Sequence, residues 1–132
     1  MEKILEFLKN NPVFYVATVD GDRPRTRPFG FHMEFEGKLY FSMLRQKPSY
    51  KQLLANPNVE ICTCSPDNVW VRISGQAVFD ERECVMEKIY EIAPETKDKY
   101  NEETGLTLAN FYIKNGLAEF TGIDGYHEEI SF

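Results

Sequence analysis

Two basic clusters in the first half of the chain contain the residues best suited to binding an anion. The first cluster covers residues 23–28, in which Arg25 and Arg27 are two positions apart. On a strand, that spacing points both side chains to the same face. Two guanidinium groups on one face can make bidentate contacts with a phosphate. An exposed strand with both arginines in water is the alternative interpretation.

The second cluster, residues 45–51, lies where the sequence predicts the start of a helix. Pro48 suits the first helical turn, and Lys47 and Lys51 are four residues apart, which predicts a shared face. Cations at the N-terminus of a helix are repelled by the positive end of the helix dipole and lower its stability unless an anion compensates them. The free N–H groups at this end favour a phosphate as that anion. Ser49 adds a hydroxyl donor. Because both clusters occur close together, we expect a phosphate site, with solvated side chains as the alternative.

The composition fits one globular domain, residues 1–132, with 42% hydrophobic and 14% aromatic residues. The net charge is −6, which disfavours nucleic acid as a partner. The charge is uneven, however: residues 21–59 contain seven basic and three acidic residues, and the rest of the chain contains eight and eighteen. A basic segment in an acidic chain predicts a small anionic ligand.

The cysteines indicate neither a disulfide framework nor a metal centre. Cys62, Cys64 and Cys84 are an odd number, and we expect them to be reduced and buried. Cys62 and Cys64, with His32 or His127, offer possible zinc ligands, but the chain has no CxxC pair, so we predict no metal site. The chain also shows no signal peptide and no apolar run of membrane-spanning length. We therefore expect a cytoplasmic protein with no membrane partner.

The hydrophobic pattern predicts six strands and three helices, joined by hairpin turns at Asp20-Gly21 and Glu36-Gly37. The predicted strands are residues 13–19, 25–36, 38–43, 59–64, 69–79 and 111–123, the last being either one strand or a bent pair of strands. The predicted helices are residues 3–9, 48–55 and 81–93. We expect Asp80 and Glu83 to form a capping box, Leu53 and Leu54 to point inward, and residues 95–105 to be a surface excursion. This order favours an antiparallel barrel over a parallel sheet with crossover helices.

The motifs of common catalytic and nucleotide sites do not occur. There is no GxGxxG or phosphate-loop motif, no HExxH motif and no Ser-His-Asp order. Several aromatic and histidine side chains remain ambiguous between stacking, core and surface roles; they are His32, Trp70, Tyr112, Tyr126 and His127. The sequence therefore predicts a binding site more clearly than a catalytic one.

With these residues in place, the chain resembles the pyridoxamine 5'-phosphate oxidase-like FMN-binding split-barrel superfamily. Within it, the chain looks most like the nitroimidazole-resistance-type flavoproteins. The resemblance covers roughly residues 3–80 and 111–132. Its motifs lie at residues 14–21 with 24–28, at 39–42 with 47–51 and 56–59, at 71–77 and at 111–116.

The resemblance implies a mainly β fold with some α, namely a six-stranded antiparallel split β-barrel with flanking helices. It also implies a homodimer with FMN at the subunit interface and an oxidoreductase that transfers electrons to an unknown small molecule. The alternative is a non-catalytic flavin-binding carrier or sensor. Some members of the superfamily bind a deazaflavin or haem instead. The arginine and histidine motif that binds vitamin B6 substrates in true pyridoxamine phosphate oxidases is missing, so we do not expect that activity.

The resemblance also implies roles for individual residues. Arg27 and Pro28 would lie beside the flavin, and Arg25 and Thr26 near its phosphate or ribityl chain. Phe41 and Ser42 match the strand that contacts the flavin, where the family commonly has threonine. The phosphate-binding stretch matches Lys47, Ser49 and Lys51, and Trp70 would come from the partner chain or the facing strand.

Overall fold

An antiparallel sheet of eight strands with four helices forms the structure, a computed structural model that describes residues 1–132. The helices are α1 (Glu2–Asn10), α2 (Pro48–Ala55), α3 (Glu83–Ile92) and α4 (Thr96–Lys99). The strands are β1 (Phe14–Asp20), β2 (Arg23–Phe29), β3 (His32–Phe35), β4 (Lys38–Leu44), β5 (Asn58–Cys64), β6 (Val69–Phe79), β7 (Leu108–Gly122) and β8 (His127–Ser131). Their order is β2-β1-β5-β6-β7-β4-β3, and β8 pairs with β7. The predicted mainly β, antiparallel split-barrel architecture is confirmed, with eight strands where six were expected.

One of the two additional strands arises because the predicted strand 25–36 is two strands. β2 pairs with β1, whereas β3 pairs with β4 at the opposite end of the strand order. The chain leaves the first edge at Gly30, and glycine weakens a strand because it has no side chain to pack. The alternation of apolar residues continues through Gly30 and therefore hides this break. The other additional strand is β8, which covers the last residues of the chain.

The long strand β7 holds the two halves of the sheet together. It pairs with β4, β6 and β8 along its fifteen residues. Its register with β6 shifts between Ser74 and Gln76. At the intervening Gly75, a Cβ would lie 2.5 Å from Ile113 Cγ2, so only glycine allows the two strands to approach here.

Phenylalanine side chains dominate the core on the inner face of the sheet. Phe14 and Phe41 pack edge to face with ring centroids 5.4 Å apart, and Phe111 lies 5.7 Å from Phe41. All three are fully buried, as are Ile4 and Leu8 of the amphipathic helix α1. Burial of each such side chain stabilises the fold by about 1.5–3 kcal/mol. No helix is both long and apolar enough to span a membrane, and the longest helix, α3, has ten residues.

The predicted capping box of α3 is wrong. The N-cap residue is Arg82, and no side chain caps the helix. The Asp80 carboxylate instead accepts hydrogen bonds from the Tyr40 hydroxyl at 2.7 Å and from the Arg82 backbone and guanidinium at 2.9–3.2 Å. It is therefore fully engaged two residues before the N-cap position and does not cap the helix.

Helix α2 packs against β1, but only one of the two leucines that were expected to face inward is buried there. Leu53 is buried, but Leu54 is 57% exposed. Adjacent residues on a helix are about 100° apart, so both cannot face the sheet. The expectation for Leu54 is wrong, whereas Ser49 is buried at the start of the same helix.

Candidate functional site

One large cavity, with a volume of about 990 Å³, lies between β2, β4, the start of α2 and the α3–α4 segment. It contains four cationic side chains and two carboxylates, so its local charge is positive in a chain of net charge −6. The charged lining residues are Arg25, Arg27, Lys47, Lys99, Asp20 and Glu95. The apolar ones include Phe29, Phe31, Met43, Leu44, Ile89 and Leu108. The cavity therefore offers both an anion site and apolar surface.

The N-terminus of α2 opens into this cavity. Lys47 is the N-cap residue, and no side chain caps the helix. Its first N–H groups therefore lack a side-chain acceptor and carry the positive end of the helix dipole. Ser49 lies in this turn and lines the cavity, and the residue as a whole is only 6% exposed. A hydroxyl that lines a cavity beside the free N–H groups of a helix N-terminus is a donor available to an anionic ligand.

Arg27 contributes a positive charge to the cavity that no carboxylate of the protein pairs with. Its guanidinium donates to Val16 O at 3.2 Å, to Thr18 Oγ1 at 2.7 Å and to Gln52 Oε1 at 2.9 Å. All three acceptors are neutral. Burial, followed by the nearby charge of Arg25, lowers the pKa of Arg27. An anion in the cavity would relieve both effects.

The predicted common face of Arg25 and Arg27 is confirmed, because both side chains line the cavity. Arg25 is more exposed than Arg27, and its Nε lies 3.3 Å from Asp20 Oδ2. The hairpin at Asp20-Gly21 brings these two residues together, since Asp20 pairs with Arg23 across a two-residue turn. Asp20 partly compensates Arg25 and leaves Arg27 as the uncompensated arginine.

The structure brings together six of the ten residues that the sequence singled out, which are Arg25, Arg27, Pro28, Ser42, Lys47 and Ser49. Thr26, Phe41, Lys51 and Trp70 do not line the cavity. Thr26 alternates to the other face of β2, and Phe41 is fully buried in the core while its neighbour Ser42 faces the cavity. For Phe41, only a backbone contact with a ligand remains compatible with this placement.

Lys51 and Trp70 lie outside the cavity for different reasons. Lys47 has extended backbone angles as the N-cap residue, so the helical spacing of four that links it to Lys51 does not apply. The expected common face of the two lysines is therefore not formed. Trp70 pairs with Cys64 on β5 and with Thr121 near the end of β7, far along that strand from residues 108–112, which pair with β4. Its contribution to a partner's site stays a prediction.

Sequence reasoning missed the wall formed by the α3–α4 segment. Residues 95–105 were expected to be a surface excursion, but Thr96, Lys99 and Tyr100 line the cavity. Thr96 is buried, and its hydroxyl donates to Ala93 O at 2.6 Å, which fixes α4 against the end of α3. The sequence did contain a signal for this wall. The apolar residues of α3 at helical spacing continue to Ile89, which indicates that the end of this helix faces inward.

Neither histidine and none of the cysteines lines the cavity. Cys62, Cys64 and Cys84 are free, and the expectation that they are buried is wrong, because Cys64 is exposed and the other two are only half-buried. His32 packs against the Phe14 ring, and burial lowers its pKa. His127 is exposed on β8, away from the cavity, where its Nε2 lies 3.1 Å from a Glu129 carboxylate oxygen.

Comparisons with known proteins identify the family. The family model of pyridoxamine 5'-phosphate oxidase matches residues 1–108. A NimC/NimA family protein from Clostridium acetobutylicum is 39% identical, with a TM-score of 0.91 over 100% of this chain and 92% of that chain. No curated protein sequence matches this chain.

Two more distant structures share the fold. An FMN binding protein related to pyridoxamine 5'-phosphate oxidase, from Nostoc punctiforme, is 14% identical, with a TM-score of 0.63 over 99% of this chain and 95% of that chain. A heme binding protein from Mycobacterium smegmatis is 12% identical, with a TM-score of 0.69 over 93% of this chain and 54% of that chain. From the family model and the NimC/NimA relative, this chain belongs to the pyridoxamine 5'-phosphate oxidase-like split-barrel family and resembles its NimC/NimA members.

Proposed function

We propose that this chain binds FMN in the cavity, with the phosphate at the N-terminus of α2, and acts as an FMN-dependent oxidoreductase on a small molecule. The observation that carries the proposal is the placement of Ser49, which lines the cavity beside Lys47. It lies in the first turn of an uncapped helix, where N–H groups favour an anion. Members of this family commonly bind FMN, whose single phosphate fits such a site.

The other cavity residues supply the remaining contacts that a phosphorylated, partly apolar cofactor requires. Arg27 is held by neutral acceptors and is free to pair with phosphate, and Lys47 adds a second cation at the helix start. Phe29, Phe31 and Leu108 offer apolar surface for a flat ring system. When bound, FMN supplies the electron-transfer chemistry, and the protein supplies binding, orientation and electrostatics.

The volume of the cavity leaves a place for a second small molecule. About 990 Å³ is at the upper end of the range for single-ligand pockets. The α3–α4 wall contains none of the residues assigned to the phosphate, and we assign the substrate or electron donor to it. Because the cavity contains no histidine or cysteine, a non-catalytic flavin carrier or sensor is the second candidate.

We further propose that two chains associate as a homodimer with FMN at the subunit interface. The outer face of the sheet presents Tyr15, which is 52% exposed and lies beside Cys62 on β5 and Pro28 on β2, and Pro28 also lines the cavity that would hold FMN. Trp70 lies across from Cys64 on the next strand pair. An aromatic residue exposed to this extent on a sheet face is typical of a protein interface.

A titration of the purified protein with FMN tests the proposal. We expect quenching of FMN fluorescence and a visible flavin spectrum of the complex. A colourless protein that does not quench added FMN would contradict FMN binding, and a Soret band would indicate haem instead. Turnover with reduced nicotinamides and a panel of electron acceptors separates the oxidoreductase from the carrier or sensor.

A further inference from the structure

The buried residue Asn110 on β7 makes a directed contact with a residue that lines the cavity. Asn110 is 3% exposed and lies directly across from Ser42 in the β4–β7 register. The Ser42 hydroxyl donates to Asn110 Oδ1 at 2.7 Å, and Asn110 Nδ2 lies 2.9 Å from the sulfur of Met86 on α3. Asn110 itself does not line the cavity.

The methionine sulfur determines which way the Asn110 amide points. A thioether has no hydrogen and can only accept, so the amide nitrogen must face Met86. The amide oxygen then faces Ser42, and an oxygen cannot donate. The Ser42 hydrogen is consequently the only hydrogen available for the Ser42–Asn110 bond.

We propose that Asn110 is a positioning residue, which commits the Ser42 hydrogen to the protein and leaves only lone pairs of Ser42 facing the cavity. Ser42 therefore accepts a hydrogen bond from the ligand and does not donate one. A phosphate dianion has no hydrogen to give, so Ser42 contacts a different part of the ligand. The ligand places an N–H or O–H group at Ser42.

This inference rests on the proposed function, because it assigns a part of FMN to one end of the cavity. FMN carries one ring N–H group and the hydroxyls of its ribityl chain, and riboflavin carries the same groups without the phosphate. The contact at Ser42 is therefore shared by both flavins, whereas a contact at Ser49 is available to FMN alone.

A double-mutant cycle with Ser42→Ala and Asn110→Ala tests the inference, with dissociation constants measured for both FMN and riboflavin. Loss of one neutral, oriented hydrogen bond predicts that Asn110→Ala weakens binding by about threefold to tenfold. We expect the same factor for FMN and for riboflavin. In the Ser42→Ala background, Asn110→Ala is expected to have no further effect on either flavin.

Two further variants separate positioning from general loss of stability. Met86→Leu conserves volume and leaves Asn110 in place but removes the sulfur that orients its amide, so we expect a smaller loss of flavin affinity in the same direction. Met86→Leu therefore still tests the inference if the Asn110→Ala protein folds poorly. Thr63→Val removes another buried hydroxyl bond, the 2.9 Å contact to Val13 O, away from the cavity. It is expected to lower the melting temperature without changing flavin affinity.

The outcomes distinguish this inference from the proposed function. If the wild-type protein binds flavin and Asn110→Ala binds it equally well, the inference is overturned and the proposed function stands. The inference is also overturned if Asn110→Ala weakens flavin binding by the same factor in the wild type and in the Ser42→Ala background. If the wild-type protein binds neither flavin, the proposed function fails, and the ligand group assigned to Ser42 fails with it.

Discussion

Arg27 Nη2 lies 2.9 Å from Gln52 Oε1, so a neutral side chain of α2 holds a cation of β2 at the cavity. The same oxygen accepts the Thr18 hydroxyl at 2.6 Å. Thr18 is buried and accepts from Arg27 Nη1 as well. The three residues fix the guanidinium without neutralising it, which is the arrangement required of an arginine that binds an anionic ligand.

Replacement of the neutral acceptor by a charged one tests this arrangement. Gln52→Glu retains the shape of the side chain but pairs Arg27 internally, so we predict that FMN affinity falls by about tenfold or more. Riboflavin affinity should change much less, because riboflavin has no phosphate. Gln76→Glu adds the same charge on β6 outside the cavity and is the matched control. Equal FMN affinity in wild type and Gln52→Glu would mean that Arg27 does not bind the phosphate.

The ion pairs around Asp80 predict a specific acid sensitivity. Hydrogen bonds from Arg82, and then from Tyr40, lower the pKa of Asp80 to about 2, despite its burial. A carboxylate whose pKa is lower in the folded state stabilises the fold above its unfolded pKa. This contribution, about 2 kcal/mol for such a shift, is lost as the pH falls from about 4 to about 2.

Urea unfolding of the wild type and Asp80→Asn as a function of pH measures that contribution. At pH 7 we predict that Asp80→Asn lowers the free energy of unfolding by about 1–2 kcal/mol, because the charge that pairs with Arg82 is removed. The difference between the two proteins should stay constant above about pH 5 and vanish near pH 2. A difference that does not depend on pH would show that the charge of Asp80 is not its cause.

The exposed outer face of the sheet predicts the mass of the particle in solution. Light scattering of the wild type should give twice the 15.4 kDa mass of the chain. Tyr15→Glu places a charge on the exposed ring position and should reduce the mass to that of one chain. Ile92→Glu, at a site 49% exposed on α3, is the control and should leave the dimer intact. A wild-type mass equal to one chain would contradict the proposed dimer.

Much of the fold follows from local sequence patterns. The turns at Gly21 and Glu36-Gly37, the helix that begins at Pro48 and the alternation in β5 each depend on residues close together in the chain. The break at Gly30 was not predictable in this way. The residues before Gly30 pair with β1 and those after it pair with β4, which lies elsewhere in the sheet. The local sequence pattern does not indicate which strand each segment pairs with.

The candidate site shows the same limit. Arg25, Arg27 and Lys47 were found from charge and spacing within short segments. Gln52, Asn110 and Tyr100 were missed, because their importance depends on contacts between distant segments and their residue types are common on any surface. Lys51 was grouped with Lys47 by a spacing argument that assumed that both residues are helical, whereas Lys47 precedes the first helical turn and only Lys47 lines the cavity.

The two lysines provide the most direct measurement of where the phosphate binds. Lys47 lines the cavity and Lys51 does not, although both belong to the start of α2. We predict that Lys47→Glu weakens FMN binding by about tenfold or more, with less than about twofold effect on riboflavin, while Lys51→Glu changes both affinities little. An equal loss of FMN and riboflavin affinity in Lys47→Glu, or equal effects of the two substitutions, would contradict a phosphate site at the N-terminus of α2.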